Sequence, residues 1–149
     1  MFEKIMHTGN SVAGLFLRLA LGIVMLAHGL QQTVGWFGGN GLSGTIKYYT
    51  GFYHFPWIIA LLGILSVSIG SVLLIIGLWG RVMACLNGIF LLTAMLTVHI
   101  SNGFFMNWGG MKHGEGFEFH ILGIGIAIAI IIYGSGWLSV DRWLTKKKI

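Results

Sequence analysis

Residues 56–78 read PWIIALLGILSVSIGSVLLIIGL, an apolar stretch that contains no charged side chain. A helix needs about 20 such residues to cross the hydrocarbon core of a bilayer. Three further windows have similar length and composition, which gives four predicted spans at residues 12–30, 56–78, 82–100 and 117–138. These windows are too long for the strands of a membrane barrel. The sequence therefore predicts an all-α fold, a polytopic membrane four-helix bundle that forms one domain over residues 1–149.

The composition of the whole chain supports this class of protein. Of its 149 residues, 56% are hydrophobic and only 9% are charged, whereas a soluble domain carries about 25% charged residues. A soluble domain, a disordered chain and a collagen are therefore excluded. A nucleic-acid-binding protein is excluded as well, because the net charge of +5 reflects a scarcity of acids rather than a basic patch. The single cysteine, Cys85, cannot form an intrachain disulfide or a CxxC dithiol.

Lysine and arginine residues near the span ends predict the orientation of the bundle. With four spans, both termini lie on one side of the membrane. That side carries most of the basic residues, namely Lys4, Arg81, Arg142 and the three lysines at 146–148, whereas Lys47 and Lys112 lie on the other side. Because basic residues are enriched in cytoplasmic loops, we expect both termini in the cytoplasm and the loops 31–55 and 101–116 outside.

Small residues recur at seven-residue intervals in two of the predicted spans. The second span carries one stripe, Gly63, Gly70 and Gly77, and the first span carries another, Ala13, Ala20 and Ala27. Small residues let helix backbones approach closely in lipid. Both stripes therefore predict helix packing at shallow crossing angles, and we assign them no chemistry.

The first long loop, residues 31–55, contains a pattern that predicts a short helix. Leu42, Ile46, Tyr49 and Tyr53 recur at steps of three and four residues, a spacing typical of one helix face. Such an interfacial helix would lie at the membrane surface. It would form either a lid over a cavity or part of an ordinary aromatic belt.

Two histidines end similar stripes on the outer side. Positions 14, 17, 21, 24 and 28 share their 3-4-3-4 spacing with positions 85, 88, 92, 95 and 99. If both stripes face the bundle, His28 and His99 lie at similar depth, and the nearby glycine pairs let Trp36 and Trp108 fold back over them. The pattern predicts one cavity lined by His28 and His99, with Trp36 and Trp108 as walls, that binds a quinone head. The alternative is two unrelated capping histidines beneath an aromatic belt.

Glu118 and His120 are further candidates for the same ligand site. They are two residues apart, so they face nearly opposite sides of a continuous helix and share a site only if residues 114–119 are irregular. An acid at a helix N-terminus is also favoured by the helix dipole alone. A cluster of outer histidines could bind a quinone carbonyl, move protons, or ligate a metal or haem. No HxxxH or CxxC spacing favours a metal, so no metal site is assigned.

Arg18 is the one unambiguous charge within a predicted span. It lies about two turns from the cytoplasmic end, so its side chain can extend to the interface. The first and fourth spans both end there, and Asp141 is the only acid on that side besides Glu3. We therefore expect Arg18 and Asp141 to form a structural ion pair at the cytoplasmic face.

Seven short motifs occur in order between Leu17 and Leu144. They read LRLALG at 17–22, HGLQQ at 28–32, GWFGGNGL at 35–42, GLWGR at 77–81, NGFFMNW at 102–108, GEGFEFH at 114–120 and SVDR at 139–142. In this order they resemble the DoxX family of small bacterial membrane proteins. The resemblance implies a four-span bundle in the bacterial inner membrane. Relatives are described as a subunit of thiosulfate:quinone oxidoreductase, or as the membrane part of an oxidoreductase complex with soluble redox partners.

The residues and the resemblance together favour a membrane redox subunit that holds a quinone near its outer histidines. Electrons would come from a soluble redox partner or a second membrane subunit, since the chain has no cofactor motif of its own. The family has no agreed catalytic residues, and Val67 stands where many members have a glutamate. Two alternatives stay open. One is a non-enzymatic scaffold or accessory subunit, and the other is a metal- or small-solute-handling protein that uses the outer histidines and Met106 or Met111. The chain could also form a homo-oligomer.

Overall fold

The computed structural model describes residues 6–146, and all regular structure in that part of the chain is helical. The helices are α1 (Val12–Thr33), α2 (Gly41–Gly51), α3 (Trp57–Val67), α4 (Ile69–Ile76), α5 (Gly80–Ala94), α6 (Glu118–Tyr133) and α7 (Val140–Lys146). A π-helical turn, Met95–His99, and a 3-10 turn, Ile100–Asn102, extend α5. The prediction of an all-α fold is confirmed.

Three helical segments are long and apolar enough to cross a membrane, and a fourth apolar helix is shorter. The three are Val12–Thr33, Trp57–Ile76 and Gly80–Asn102, and the shorter one is α6 with 16 residues. Helix α6 rises about 24 Å and ends at Tyr133, before the expected Leu138. It ends there because Gly134, at φ 81°, turns the chain back. The chain is therefore an integral membrane protein built as a helical bundle.

The two ends of the bundle are built differently. At one end, called the terminal end, the first described residues meet the last, because the amide N of Trp137 donates to the Ser11 carbonyl at 2.9 Å and that of Gly136 to Thr8 Oγ1 at 2.6 Å. The other end, called the loop end, carries the two long connections. Between the ends, α5 packs most extensively on α6, and α1 packs on α4.

The packing face of α1 differs from the alanine stripe that the sequence suggested. Ala13 and Ala20 are exposed, whereas the buried positions of α1 are Gly14, Arg18, Leu21, Gly22, Met25 and Gly29. A Cβ on Gly29 would lie 2.4 Å from the Val67 carbonyl oxygen, so only glycine allows this approach. Glycine rather than alanine lies at this contact, because the two helix backbones touch there and leave no room for a side chain.

The second span is broken at Ser68, whose φ of −95° and ψ of −80° are not helical. The fully buried Asn87 compensates for the break. Its amide donates to the carbonyls of Ser66 at 3.2 Å and Met83 at 2.9 Å, and its oxygen accepts from the Ser71 hydroxyl at 3.1 Å. Polar groups in the hydrocarbon core must be satisfied inside the protein. Asn87 therefore holds the second and third spans together across the break.

Helix α2 is the short helix that the first loop pattern predicted. It packs on α1 and α3, and its aromatic side chains continue into the following residues as one cluster. Tyr53 stacks on Phe55 with ring centroids 6.0 Å apart, and its hydroxyl lies 3.2 Å from that of Tyr48. Burial, with a smaller contribution from Tyr48, raises the pKa of Tyr49 to about 12. The Tyr49 hydroxyl therefore stays protonated in the physiological pH range.

Arg18 connects three parts of the chain at the terminal end. It is only 2% exposed. Its Nε donates to the Ser135 carbonyl at 3.0 Å, its Nη2 to the carbonyls of Trp137 at 3.2 Å and Leu138 at 2.7 Å, and its Nη1 to the Ile75 carbonyl. The guanidinium is thus satisfied by carbonyl groups inside the protein. This differs from the expectation that the Arg18 side chain extends to the interface.

Asp141 lies in the same network but has different partners. Its carboxylate is buried and accepts from the amides of Trp79 at 2.7 Å and Gly80 at 2.9 Å, and from the Ser135 hydroxyl at 2.6 Å. It therefore caps the N-terminus of α5. The expected ion pair would join Arg18 and Asp141 by direct hydrogen bonds. Instead, each of the two side chains hydrogen-bonds to other groups. The two charges interact electrostatically, and Ser135 bridges them.

Replacing Arg18 with methionine, an unbranched apolar side chain, is expected to lower the free energy of unfolding by about 3 kcal/mol or more, because buried carbonyls lose their donor. Unfolding in detergent micelles by titration with SDS measures this quantity. Arg142→Met is the control at the same end, since Arg142 donates to Asn10 Oδ1 near the surface. It should cost less than about 1 kcal/mol. Equal losses in the two variants would contradict the role given to Arg18.

Candidate functional site

Three histidines from three spans lie at the loop end. His28 belongs to the last turns of α1, His99 ends the π-helical turn after α5, and His120 lies in the first turn of α6. The ring centroids of His99 and His120 are 4.2 Å apart, with the rings tilted by 40°. His28 is close enough to interact electrostatically with His120. These three residues are called the histidine cluster.

The orientation of His99 depends on irregular helical geometry. Residues Met95–His99 form a π-helical turn, which contains more residues per turn than an α-helix and rotates the side chains that follow it. The Thr97 hydroxyl donates to the Thr93 carbonyl at 2.8 Å within this segment, a local bond that bends helices. The 3-4-3-4 spacing assumes a regular α-helix, so it cannot predict the direction in which the His99 side chain points.

A loop carbonyl fixes the ring of His99. Its Nδ1 lies 2.9 Å from the carbonyl oxygen of Glu115, which also accepts from Asn102 Nδ2 at 3.1 Å. Since a carbonyl only accepts, Nδ1 carries the proton. In the neutral imidazole the lone pair then lies on Nε2. His99 can therefore accept a hydrogen bond from a bound molecule through Nε2.

His120 carries an unused hydrogen-bonding group. The residue is 7% exposed, and its Nδ1 is buried with no hydrogen-bond partner among residues 6–146. The rings of Phe119 and His120 are arranged edge to face, with their centroids 6.1 Å apart. Buried polar atoms in proteins are nearly always paired, so an unpaired one requires an explanation. A molecule bound next to His120 would provide that partner.

His28 lies on the rim of the cluster. It is exposed, and its Nδ1 is 3.2 Å from Gln31 Oε1, while Gln31 Nε2 donates to the Phe37 carbonyl at 3.3 Å. One residue further on, the side-chain oxygen of Gln32 is buried and has no partner in the described part of the chain. The loop end therefore contains a second unsatisfied polar atom, and sequence reasoning had not selected Gln32.

The two tryptophans do not form walls around the histidines. Trp36 is 60% exposed and Trp108 is 88% exposed. Trp108 lies instead in the second long loop, residues 101–116, which is called the second loop. Its Nε1 donates to Glu118 Oε1 at 3.4 Å. The glycine pairs let the loops turn, but both indoles lie on the surface of the protein.

Glu118 is the first residue of α6, and its carboxylate binds groups of the second loop. Helix α6 is regular from Glu118 onward, so Glu118 and His120 point in different directions. Its Oε1 accepts from the amide of Met106 at 3.0 Å, and Glu115 Oε2 accepts from the amide of Asn107 at 2.7 Å. The two carboxylates therefore hold the second loop in shape.

The alternative of a metal-handling protein finds no site in residues 6–146. No group of three or more histidine, cysteine, aspartate or glutamate side chains is arranged there to hold a metal ion. The two methionines that are candidates for solute handling, Met106 and Met111, lie in the second loop, and Met111 is 93% exposed.

Replacing Glu118 with alanine is expected to loosen the second loop, because the Met106 amide loses a charged acceptor. Amide hydrogen exchange in residues 104–112 should rise at least about tenfold, while exchange in α2 serves as the internal control and stays unchanged. Unchanged exchange in the second loop would show that Glu118 does not hold it.

Comparison with known proteins agrees with this architecture. A family model described as DoxX matches residues 13–100, which covers the first three spans and the first loop. No curated protein and no solved structure matches the chain. The matched segment is more than half of the 149 residues, and it includes His28, His99 and Arg18. The chain therefore belongs to the DoxX family.

Proposed function

We propose that this DoxX-family protein is a membrane subunit of an oxidoreductase complex and binds the head of a quinone at the histidine cluster. The observation that carries this proposal is the buried, unpartnered Nδ1 of His120 next to the ring of His99. The pair lies at the ends of apolar spans, where the polar head of a membrane-soluble molecule meets the interface. A metal finds no such donor set in the described chain.

The donor set suits a quinone in both of its redox states. His120 can donate to a carbonyl oxygen when its Nδ1 carries the proton, and His99 Nε2 can accept from a hydroxyl. His28 on the rim could exchange protons with water, since it is exposed. The quinone would supply the electron and proton chemistry, while the protein supplies position and proton-binding groups.

The electron donor would be a separate protein. The chain has one cysteine and therefore no dithiol of its own. The second loop, held in shape by Glu115 and Glu118, presents the exposed side chains of Trp108 and Met111 at the same end as the cluster. This loop is where we expect a soluble redox partner or a second membrane subunit to bind.

We place the protein in the bacterial inner membrane with its terminal end in the cytoplasm. The basic residues support this orientation, since Arg18, Arg81, Arg142 and Lys146 belong to the terminal end while Lys47 and Lys112 belong to the loops. In this orientation the histidine cluster lies on the side of the inner membrane that faces away from the cytoplasm.

The quinone proposal is tested on protein purified in a mild detergent from cells that make quinone. Solvent extraction and chromatography should find quinone bound to the wild type. His120→Asn and His99→Gln should each reduce the bound quinone at least about fivefold, because each variant loses an imidazole contact to the head. Each variant keeps a polar side chain, so a general loss of folding is avoided.

His113→Gln is the matched control, since His113 is an exposed histidine of the second loop and should retain quinone at the wild-type level. Retention by the two cluster variants at that level would contradict the site. Absence of quinone from the wild type as well would favour the accessory-subunit alternative.

Orientation is tested by cysteine labelling in intact cells, starting from a Cys85→Ala background. A membrane-impermeant maleimide should label Asn40→Cys and Gly110→Cys in the two loops, and it should not label Lys146→Cys. Labelling of Lys146→Cys alone would reverse the orientation.

A further inference from the structure

A cavity of about 240 Å³ lies between α3 and α5, and no residue of the histidine cluster lines it. Tyr49, Tyr53 and Phe55 close it at the loop end. Its flanks include Leu62 and Ile89, which are exposed on the outside of the bundle. The cavity is therefore a cleft that opens sideways, toward the hydrocarbon of a surrounding bilayer.

The three glycines of the stripe in the second span, Gly63, Gly70 and Gly77, are packed to different degrees. A Cβ on Gly77 would lie 2.5 Å from Ser139 Cβ, and a Cβ on Gly70 would lie 3.5 Å from Met83 Sδ. A Cβ on Gly63 would meet only the ring of Phe90, at 3.6 Å. Gly77 therefore allows close packing, while Gly63 leaves room for a larger group.

Apart from the tyrosines at its loop end, the walls of the cleft carry hydroxyl groups that are already used as donors within their own helices. The hydroxyl of Ser66 donates to the Gly63 carbonyl at 2.7 Å, and that of Thr93 donates to the Ile89 carbonyl at 2.9 Å. The Thr97 hydroxyl is used in the same way within its own helix. The remaining surface is aliphatic or aromatic, so the cleft suits a hydrocarbon chain.

The length of the cleft matches one leaflet of a bilayer. Its lining on the third span runs from Val98 at the loop end to Leu86, a helical distance of about 18 Å. Half of a hydrocarbon core measures about 15 Å. A chain that enters at the loop-side interface would therefore fill the cleft to just past the middle of the membrane.

The positive charge of the segment at the loop end of the cleft favours an anionic head group. Residues 31–60 contain Lys47 and no acidic residue. Lys47 is exposed on α2, two residues before Tyr49 in the sequence. A lysine is a strong partner for a phosphate group. The neighbouring hydroxyls of Tyr48 and Tyr53, 3.2 Å apart, could also bind a polar head group.

We propose that this cleft binds an acyl chain of an anionic phospholipid from the loop-side leaflet, with the phosphate near Lys47. The site is separate from the histidine cluster and does not depend on the quinone proposal. Because the cleft reaches Ser66, whose carbonyl accepts from Asn87 next to the break at Ser68, the bound chain would also support the weakest part of the second span.

The test uses protein in nanodiscs that contain phosphatidylglycerol with a diazirine in the middle of one chain. Photocrosslinked peptides identified by mass spectrometry should come mainly from residues 59–66 and 86–98. Gly63→Leu should reduce this labelling at least about fivefold by filling the cleft. The matched control is Gly125→Leu, since Gly125 is exposed and nothing lies within 4 Å of a Cβ there.

A second variant, Ala94→Phe, fills the cleft from the other wall and keeps the test decisive if Gly63→Leu does not fold. Lys47→Gln should remove the preference for phosphatidylglycerol over phosphatidylcholine. Equal crosslinking of the exposed face of α6, or labelling that neither filling variant reduces, would overturn the proposal. Displacement of the labelled lipid by an isoprenoid quinone but not by unlabelled phosphatidylglycerol would overturn the choice of occupant.

Discussion

In hydrocarbon, a guanidinium needs acceptors from the protein itself, and Arg18 finds them in backbone carbonyls that no helix uses. These carbonyls belong to the end of α4 and to the segment after Gly134. Asp141 complements this arrangement by accepting the first amides of α5. Together the two residues fix where the first span meets the end of α4, the start of α5 and the segment after α6. The position of every helix at the terminal end depends on this shared network.

At the loop end, two buried polar groups are not satisfied. His120 Nδ1 and the side-chain oxygen of Gln32 are buried without partners in residues 6–146, although the backbone around them is well hydrogen-bonded. Unpaired buried polar groups lower stability, and proteins keep them mainly where they bind something. The terminal end contains one such atom as well, Arg81 Nε, but at the loop end the unpartnered His120 Nδ1 lies beside the ring of His99, and this is the reason to propose a function at the histidine cluster.

Between the two ends, the middle of the membrane is organised by the break at Ser68. Gly29 lets α1 contact the broken backbone directly, and Asn87 from α5 bonds to both sides of the break. The cleft beside Gly63 lies immediately above this point. The break therefore couples three spans and leaves the loop-side half of the second span less closely packed than the other half.

The sequence by itself determined the membrane class, the helical content, the helix α2 and the residues worth attention, because apolar run length and the cost of charge in lipid are local properties. It could not determine the direction of His99, which depends on a π-helical turn, or the surface position of Trp36 and Trp108. Neither could it give the partners of Arg18, because guanidinium acceptors 57 and 117 residues away become adjacent only after folding. Spacing gives the face of a regular helix, whereas irregular turns and distant carbonyls are set by packing. Tertiary structure alone therefore decided which polar groups pair and which stay open for a ligand.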